Sequence, residues 1–226
     1  MAFSFINSAV GNATGSGTVL NCGTTLNIAA GDLIVAHACW EGGTTTAGIS
    51  DGGSNALTME AVVAGSSVWT AMGYKLVGVA NASATFTLTL GAARTYRDIL
   101  VLQFRPDSGE TVTKVAGPSA AVGSSNTPLS STISPAGTDL VVIGGAGHYD
   151  YNESNWLIGG VSADGYRWPG QPYFSGVWYK FYSSAQSNIT AQCTLGGSAS
   201  WACNILAFNS EAAAGIPVGG MFLTFP

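Results

Sequence analysis

The amino-acid sequence predicts an all-β protein made of two tandem antiparallel β-sandwiches, which arose by internal duplication and are followed by an extended C-terminal tail. Apolar, strand-like segments recur every 8 to 12 residues or so and are separated by Gly, Ser, Asn and Pro. No segment shows the period of an amphipathic helix together with capping residues. The order of motifs in the first half returns in the second half. Whether the sandwiches are of the jelly-roll or the immunoglobulin-like type is left open.

The predicted strands are of two kinds. The segment ATFTLTL (84–90) alternates strictly, so Phe86, Leu88 and Leu90 point to one face, which predicts a half-buried strand. The segments DLIVAHACW (32–40) and DILVLQF (98–104) are almost continuously apolar. Runs of this kind are typical of strands covered on both faces.

The duplication rests on matching blocks that occur in the same order in both halves. The matching pairs are 32–35 (DLIV) with 139–142 (DLVV), 74–76 (YKL) with 179–181 (YKF), and Phe104 with Phe208. The members of each pair lie about 105 residues apart, too far for a solenoid repeat but enough for a unit with its own core. We therefore expect one sandwich over 1–106 and a second over 111–210, joined by a hinge at PDSGE (106–110).

The composition excludes several classes of function. Charged residues make up 8% of the 226 residues, against about 25% in ordinary soluble domains. The seven Lys and Arg residues are scattered, whereas a nucleic-acid surface needs clustered cations. No apolar run approaches the roughly 20 residues that span a bilayer. The N-terminus lacks the basic and apolar regions of a signal peptide, so we expect synthesis in a cytoplasm.

The tail (211–226) lies outside both repeats and has apolar residues that favour an assembly role. A free tail of this composition would promote aggregation, so we expect it to dock, on a neighbouring subunit rather than on its own sandwiches. The candidate assembly residues are Ile216, Val218, Met221, Phe222, Leu223 and Phe225.

An aromatic loop (148–174) in the second half is the main candidate binding region. The corresponding part of the first half has no aromatic residue. Aromatic side chains on loops stack on sugar rings or anchor protein interfaces, although they also pack onto their own sheet. The candidate residues for a partner or a glycan are Tyr149, Tyr151, Trp156, Tyr166, Trp168 and Tyr173.

The sequence contains no recognisable catalytic motif, and we expect a protein that is not an enzyme. His37 lies within an apolar strand, which favours a core histidine with satisfied hydrogen bonds. His148 lies near Asp150 and Glu153 in what we expect to be a polar loop. A hydrolase would need two neighbouring carboxyl groups, for which Asp150, Glu153 and Asp164 are the candidates.

We predict no metal site and no cofactor. Asp51, in the segment SDGGSN, is a weak cation candidate but fits better as the cap of a turn. The four cysteines lack CxxC spacing, which argues against zinc. Cys193 and Cys203 would face each other if their strands are neighbours, but in a cytoplasm we favour buried, reduced thiols.

The first half resembles a sandwich domain found in virion proteins of tailed bacteriophages and in secreted bacterial surface proteins. The motifs that carry the resemblance are Gly31-Asp32-Leu33, Ser50-Asp51 with Asn55 and Thr58, the strand 85–90 and the strand 99–104. The second half departs from the pattern, with VSADGYRWPG in place of the serine-aspartate turn. The segment GIPVGG in the tail is similar to endings of phage structural proteins.

The resemblance implies a structural protein of the virion, either a capsid decoration protein or a tail- or fibre-associated subunit. Its partners would be other virion subunits or copies of itself, without nucleic acid and without membrane insertion. The alternative function is a carbohydrate-binding module or adhesin that uses the aromatic loop on a host-surface glycan.

Overall fold

The computed structural model describes residues 3–43, 47–53, 55–149, 152–167 and 174–212. These residues form strands and their connections without any α-helix, so the predicted all-β class is confirmed. They accordingly include no helix that is long and apolar enough to cross a bilayer. The strands of the first half are β1 (Phe3–Ala13), β2 (Gly17–Asn21), β3 (Leu26–Ile28), β4 (Leu33–Glu41), β5 (Ala47–Ser50), β6 (Thr58–Met59), β7 (Val63–Ala64), β8 (Val68–Leu76), β9 (Asn81–Ala84), β10 (Thr87–Arg94) and β11 (Arg97–Pro106).

The second half of the chain also consists mainly of strands. Its strands are β12 (Glu110–Ser125), β13 (Leu140–His148), β14 (Glu153–Ile158), β15 (Val161–Ser162), β16 (Gly165–Arg167), β17 (Phe174–Tyr182), β18 (Ala191–Leu195) and β19 (Ala199–Ala212). The stretch 148–174 was expected to be an irregular loop, but its described part contains β14, β15 and β16. The aromatic residues that suggested a binding loop therefore lie partly on short strands.

The strands form two large and two small antiparallel sheets. Sheet I is six-stranded in the order β1-β11-β4-β8-β6, with β7 also pairing with β8. Sheet II has the order β2-β10-β5, sheet III the order β12-β19-β13-β17-β16, and sheet IV the order β15-β14-β18. The short strands β3 and β9 form a separate pair. The two large sheets have the same strand order. In each sheet the first long strand of its half (β1 or β12) lies at the edge and pairs with the last strand of that half (β11 or β19). The strands that follow across the sheet are β4 and β8 in sheet I, and β13 and β17 in sheet III.

The four sheets stack as layers in the order II, I, III and IV. Ile49 and Leu88 of sheet II pack with residues of sheet I such as Val101. In the same way, Ile158 of sheet IV packs with Ile205 of sheet III. A third apolar core joins the two large sheets face to face, with contributions from both halves of the chain. Its larger members include Leu33, Val35, Leu102 and Phe104 from sheet I and Ile143, Tyr179, Leu206 and Phe208 from sheet III.

This layering explains the two kinds of strand in the sequence. Strands β4 and β11 are buried along almost their whole length because sheet II covers one face and sheet III the other. The alternating segment 84–90 lies in the outer layer, where Phe86, Leu88 and Leu90 are buried and the threonines between them are half-buried or exposed. The buried central strands and the alternation of burial were predicted correctly, but the segment 84–90 is not a single strand, because β9 ends at Ala84 and β10 begins at Thr87.

Aromatic rings concentrate at the centre of the third core. The Phe104 ring lies edge-on to Tyr179, with 5.1 Å between ring centroids, and edge-on to Phe181 at 6.1 Å. Phe5 stacks on Tyr179 with centroids 5.2 Å apart. Pairs of this geometry stabilise by about 0.5 to 1.5 kcal/mol beyond the burial of their area. Phe104 therefore anchors the contact between the two halves.

The predicted hinge is a short turn between β11 and β12. The Glu110 amide donates a hydrogen bond to the Asp107 carbonyl at 3.2 Å. Beside the turn, Arg105 donates to both carboxylate oxygens of buried Asp32, at 2.7 and 2.9 Å. Gln103 donates to Asp32 as well, at 2.6 Å. The end of β11 is thus tied to the start of β4 immediately before the chain enters the second half.

We expect the Phe104→Ala variant to lower the free energy of unfolding by about 3 to 5 kcal/mol, because it opens a cavity among rings from both halves. Chemical denaturation followed by fluorescence measures this change. The matched control is Val79→Ala, since Val79 is 59% exposed and its loss should change stability by less than about 0.5 kcal/mol.

Both halves should lose stability together in Phe104→Ala, within one cooperative transition, because the third core couples them. Two separate transitions, of which only one responds to the substitution, would contradict a shared core.

Candidate functional site

The side chains at the interface between sheets I and III change along the strands from large and apolar to small or polar. In β4 the face towards sheet III begins with Leu33 and Val35 and continues with His37 and Cys39. Towards the same end, the other five central strands also change from large apolar residues to small or polar ones. The residues concerned are Thr70 of β8, Asp98 of β11, Gly145 of β13, Ser175 of β17 and Asn204 of β19. We call these residues, together with His37 and Cys39, the polar layer.

Contacts across the polar layer join the two halves. The Asn204 amide donates to the Thr70 hydroxyl at 2.6 Å, and the Ser175 hydroxyl donates to Asp98 at 3.3 Å. Burial raises the pKa of Asp98 well above its ordinary value, and the negative charge of Glu153 raises it further. The charged form of Asp98 is therefore disfavoured relative to a carboxylate in water.

His37 is fully buried in the polar layer without a hydrogen-bond partner for either ring nitrogen among the described residues. A Cβ placed on Gly145 would lie 2.5 Å from the imidazole, so the glycine provides the room for the ring. Burial, and to a lesser extent the neighbouring His148, lowers the pKa of His37 to about 3. The expectation of a satisfied core histidine is wrong in one respect, because the ring is in the core but unpaired.

His148 ends β13 and is fully buried, so the expectation that it lies in a polar loop is also wrong. Its Nε2 lies 2.9 Å from Oε1 of Glu153, and the Trp156 indole donates to Oε2 of the same carboxylate at 2.9 Å. A side chain on Gly176 would overlap this carboxylate. The three residues form a buried link between sheets III and IV, and both Glu153 oxygens are occupied by it.

The carboxylates considered for a hydrolase are engaged separately. Glu153 is held inside the second half by His148 and Trp156. Asp164 binds Lys180 at 3.0 Å and accepts a hydrogen bond from the Phe181 amide at 2.7 Å. Asp150 lies outside the described residues. The described geometry therefore gives Glu153 and Asp164 structural partners rather than each other.

The aromatic candidates lie in two places. Tyr149 is 40% exposed and meets the Tyr96 ring edge-on, with 6.4 Å between centroids. Trp156 and Tyr166 stack with centroids 3.8 Å apart, and Tyr166 remains 47% exposed. Tyr151, Trp168 and Tyr173 lie outside the described residues. The tail candidates also lie outside them: Ile216, Val218, Met221, Phe222, Leu223 and Phe225.

Asp51 organises a turn, as its sequence context predicted. Its carboxylate accepts hydrogen bonds from the amides of Gly53 at 2.9 Å and Asn55 at 3.1 Å, and from the side chains of Asn55 and Asn81. These bonds more than compensate burial and lower the pKa of Asp51. Within the described ranges, no three His, Cys, Asp or Glu residues are grouped as metal ligands.

All four cysteines are buried and free, so the prediction of reduced thiols is confirmed and Cys193 and Cys203 are not paired. Burial raises the pKa of Cys22 to about 12 and that of Cys39 well above its ordinary value. The thiolate, which is the reactive form, is correspondingly disfavoured.

Comparisons with known proteins do not assign this chain to a family. No family model matches the sequence, no curated protein matches it, and no solved structure matches the fold.

We expect acidification to destabilise the protein through His37. Its pKa is about 3 in the folded state and about 6.5 in the unfolded chain. Neutral His37 therefore contributes fully above pH 6.5, and the unfolded state gains protons preferentially as the pH falls from 6.5 towards 3. Its contribution to the loss is about 1.4 kcal/mol for each pH unit in this window.

Denaturation curves of the natural protein and of His37→Gln, measured between pH 7 and pH 4, check this expectation. The variant should lose less stability on acidification than the natural protein. Asp98, whose raised pKa gives the opposite pH dependence, is present in both proteins, so their difference isolates His37. Equal pH dependence in the two proteins would contradict a buried neutral imidazole.

Proposed function

We propose that this protein is a structural virion protein of a tailed bacteriophage, either a capsid decoration protein or a tail- or fibre-associated subunit, and that it acts by assembly. The observation that carries the proposal is the third apolar core, through which two similar sets of sheets form one four-layer block. Because the halves share a core over the residues that the structure describes, separating them would expose apolar surface. A block held together in this way suits a building unit of a particle.

We also infer that the block arose by tandem duplication of a β-sandwich, with the units at 1–106 and 111–210. The equal strand order of sheets I and III supports this inference. The central strands β4 and β13 have nine residues each, and so do β8 and β17. The repeated sequence blocks fall on these equivalent strands. Duplicated units of this kind give a protein two related surfaces for contacts with its neighbours.

The edges of the two large sheets offer a means of assembly. Strands β1 and β12 are the outermost members of sheets I and III, with no described strand beyond them. Two register shifts and Pro118 interrupt β12, so a further strand would pair poorly with its edge. In β1 a single register shift, between Phe5 and Asn7, precedes a regular ladder that continues to Ala13. Two groups of this part are already bonded, since the Ser8 amide donates to Asn7 Oδ1 and the Val10 carbonyl accepts from the Gly23 amide. An extended segment of another chain would therefore bond to the other edge groups of β1.

We propose that the C-terminal tail of a neighbouring copy, residues 213–226, is that extended segment. The tail contains no charged residue and ends in the apolar stretch MFLTF (221–225), which has strand-forming composition. Charged residues make up only 8% of the chain, and the cores of protein interfaces are depleted of charged residues, which favours surfaces covered by neighbours. The resemblance of the first half to virion sandwich domains points to the same role.

A second candidate function is carbohydrate binding, with the protein acting as an adhesin on a host-surface glycan. The observation that favours it is the exposure of aromatic rings on the second half. Tyr166 presents 47% of its surface while one ring face is stacked on Trp156. Exposed aromatic rings with polar neighbours are suited to sugar rings. This function is compatible with a place on the virion surface.

Light scattering on the full chain and on a chain truncated after Ala212 tests the assembly function. The truncation leaves β19 whole, since this strand ends at Ala212. We expect the full chain to form a defined oligomer or filament and the truncated chain to be monomeric. Monomers in both cases would overturn the role of the tail in assembly.

Point substitutions in the tail separate assembly from solubility. The double variant Phe222→Asp with Leu223→Asp should dissociate the oligomer, because charge placed in an apolar contact is costly. Thr224→Ser in the same segment is the matched control and should leave the molar mass unchanged. A double variant that keeps the mass of the full chain would contradict docking through this segment.

A further inference from the structure

A surface pocket lies at the end of the central strands nearest the polar layer. It has a volume of about 650 Å³, within the range of pockets that hold small ligands. Its walls come from the end of β4, from the turn between β7 and β8, and from the residue that follows β13. The residues that matter for recognition are Glu41, Ser66, Ser67, Trp69 and Tyr149. Both halves of the chain therefore contribute to it, and we call it the seam pocket.

Backbone contacts hold the seam pocket in shape. The Glu41 amide donates to the Tyr96 carbonyl and the Gly42 amide to the Ser67 carbonyl, both at 3.1 Å. The Gly65 amide donates to the Val68 carbonyl at 3.0 Å and closes the turn between β7 and β8. The pocket walls are therefore anchored to the sheets, which reduces the ordering cost of binding.

The two halves meet at the pocket wall. The hydroxyl oxygens of Ser66 and Ser200 lie 2.7 Å apart and join the turn between β7 and β8 to the second half. Tyr149 comes from the second half and rests edge-on against Tyr96 of the first half. The relative position of Trp69 and Tyr149 thus depends on the stacking of sheets I and III.

Glycine at position 42 lets the Trp69 indole lie against the backbone. A Cβ at this position would lie 2.7 Å from Nε1 of Trp69. Any larger residue at position 42 would displace the indole from its present orientation. Trp69 is half-buried, so part of its ring system faces the pocket while the rest packs on the first core.

The chemistry of the lining favours a neutral, polyhydroxylated ring. Trp69 and Tyr149 offer apolar ring surface beside polar groups. Glu41 is exposed, and its carboxylate has no hydrogen-bond partner among the described residues, so it is free to accept hydrogen bonds from hydroxyl groups. The Ser67 hydroxyl is exposed at the same wall and can both donate and accept.

The charges near the seam pocket nearly cancel. Glu41 is the charged residue of the lining, and the Arg94 guanidinium lies next to Gly43 of the lining, 2.9 Å from the position of a Cβ on that glycine. An anionic ligand would meet Glu41 and a cationic ligand would meet Arg94, so either charge brings repulsion as well as attraction. A neutral ligand meets neither cost.

We propose that the seam pocket binds a neutral pyranose unit of a glycan. Trp69 and Tyr149 pack against the apolar face of the sugar ring, and Glu41 and Ser67 bind its hydroxyl groups. The site is distinct from the stacked Trp156 and Tyr166 pair, and it is independent of the assembly role proposed for the tail.

Saturation-transfer NMR with single methyl pyranosides of glucose, galactose, mannose and N-acetylglucosamine tests the proposal on the full chain. At millimolar concentrations we expect transfer to at least one of these sugars. Tyr149→Ala and Glu41→Gln should each weaken its binding at least tenfold. Val79→Ala, which removes part of an exposed side chain outside the pocket and outside the Trp156 and Tyr166 pair, should leave it unchanged.

Trp69→Ala removes the larger ring but also part of the first core, so it is informative only if the variant folds. The exposed positions Tyr149 and Glu41 keep the test decisive if it does not. Absence of transfer to all four sugars would overturn the proposal, as would equal binding by Tyr149→Ala. Saturation transfer to choline or N-acetylneuraminic acid in place of the neutral sugars would overturn it too.

Light scattering on Tyr149→Ala shows whether the seam pocket and the assembly function are separate. We expect this variant to keep the molar mass of the natural protein while it loses sugar binding. A change in oligomeric state together with the loss of sugar binding would contradict a pocket that acts independently of assembly.

Discussion

The packing of sheet I against sheet III is the contact on which the rest of the molecule depends. It buries large apolar side chains from both halves, with Phe104 in contact with Tyr179 and Phe181 at the centre. Burial of apolar surface is the main favourable contribution to folding, and a core shared by two sandwiches makes their stabilities inseparable. The seam pocket and the polar layer both lie at the borders of this contact.

At one end of the same interface, six strands have small or polar residues where the rest of the interface has large apolar ones. An unpaired imidazole and a buried carboxyl group are costly in such a place. Burial lowers the pKa of His37 to about 3 and raises that of Asp98, so the charged form of each is disfavoured there. Glycines on β13 provide the space, and a hydrogen bond from the Asn204 side chain to the Thr70 hydroxyl connects the halves. The burial of large apolar side chains at the other end of the interface offsets the free-energy cost of the polar layer.

Much of the fold was predictable because strand patterns are local. The alternation of residues 84–90 correctly predicted a half-buried segment, of which 87–90 lie on the outer strand β10. The continuous apolar run of 98–104 correctly predicted a central strand. The candidate sites were less predictable, since they join distant segments. Glu41, Trp69 and Tyr149 are separate in the sequence, and no motif connects them. Asp98 stands at the start of an apolar strand, and nothing near it in the sequence marks it as part of a polar layer.

The sequence by itself determined the all-β class, the strands that need two covered faces and the recurrence of motifs in the second half. Periodicity and composition are properties of short segments, so they can be read without knowing the partners. Only the tertiary structure decided what covers those faces and where His37 and His148 lie. Which surfaces meet depends on contacts between residues far apart in the chain, because the free energy of burial belongs to the pair of surfaces and not to either strand alone.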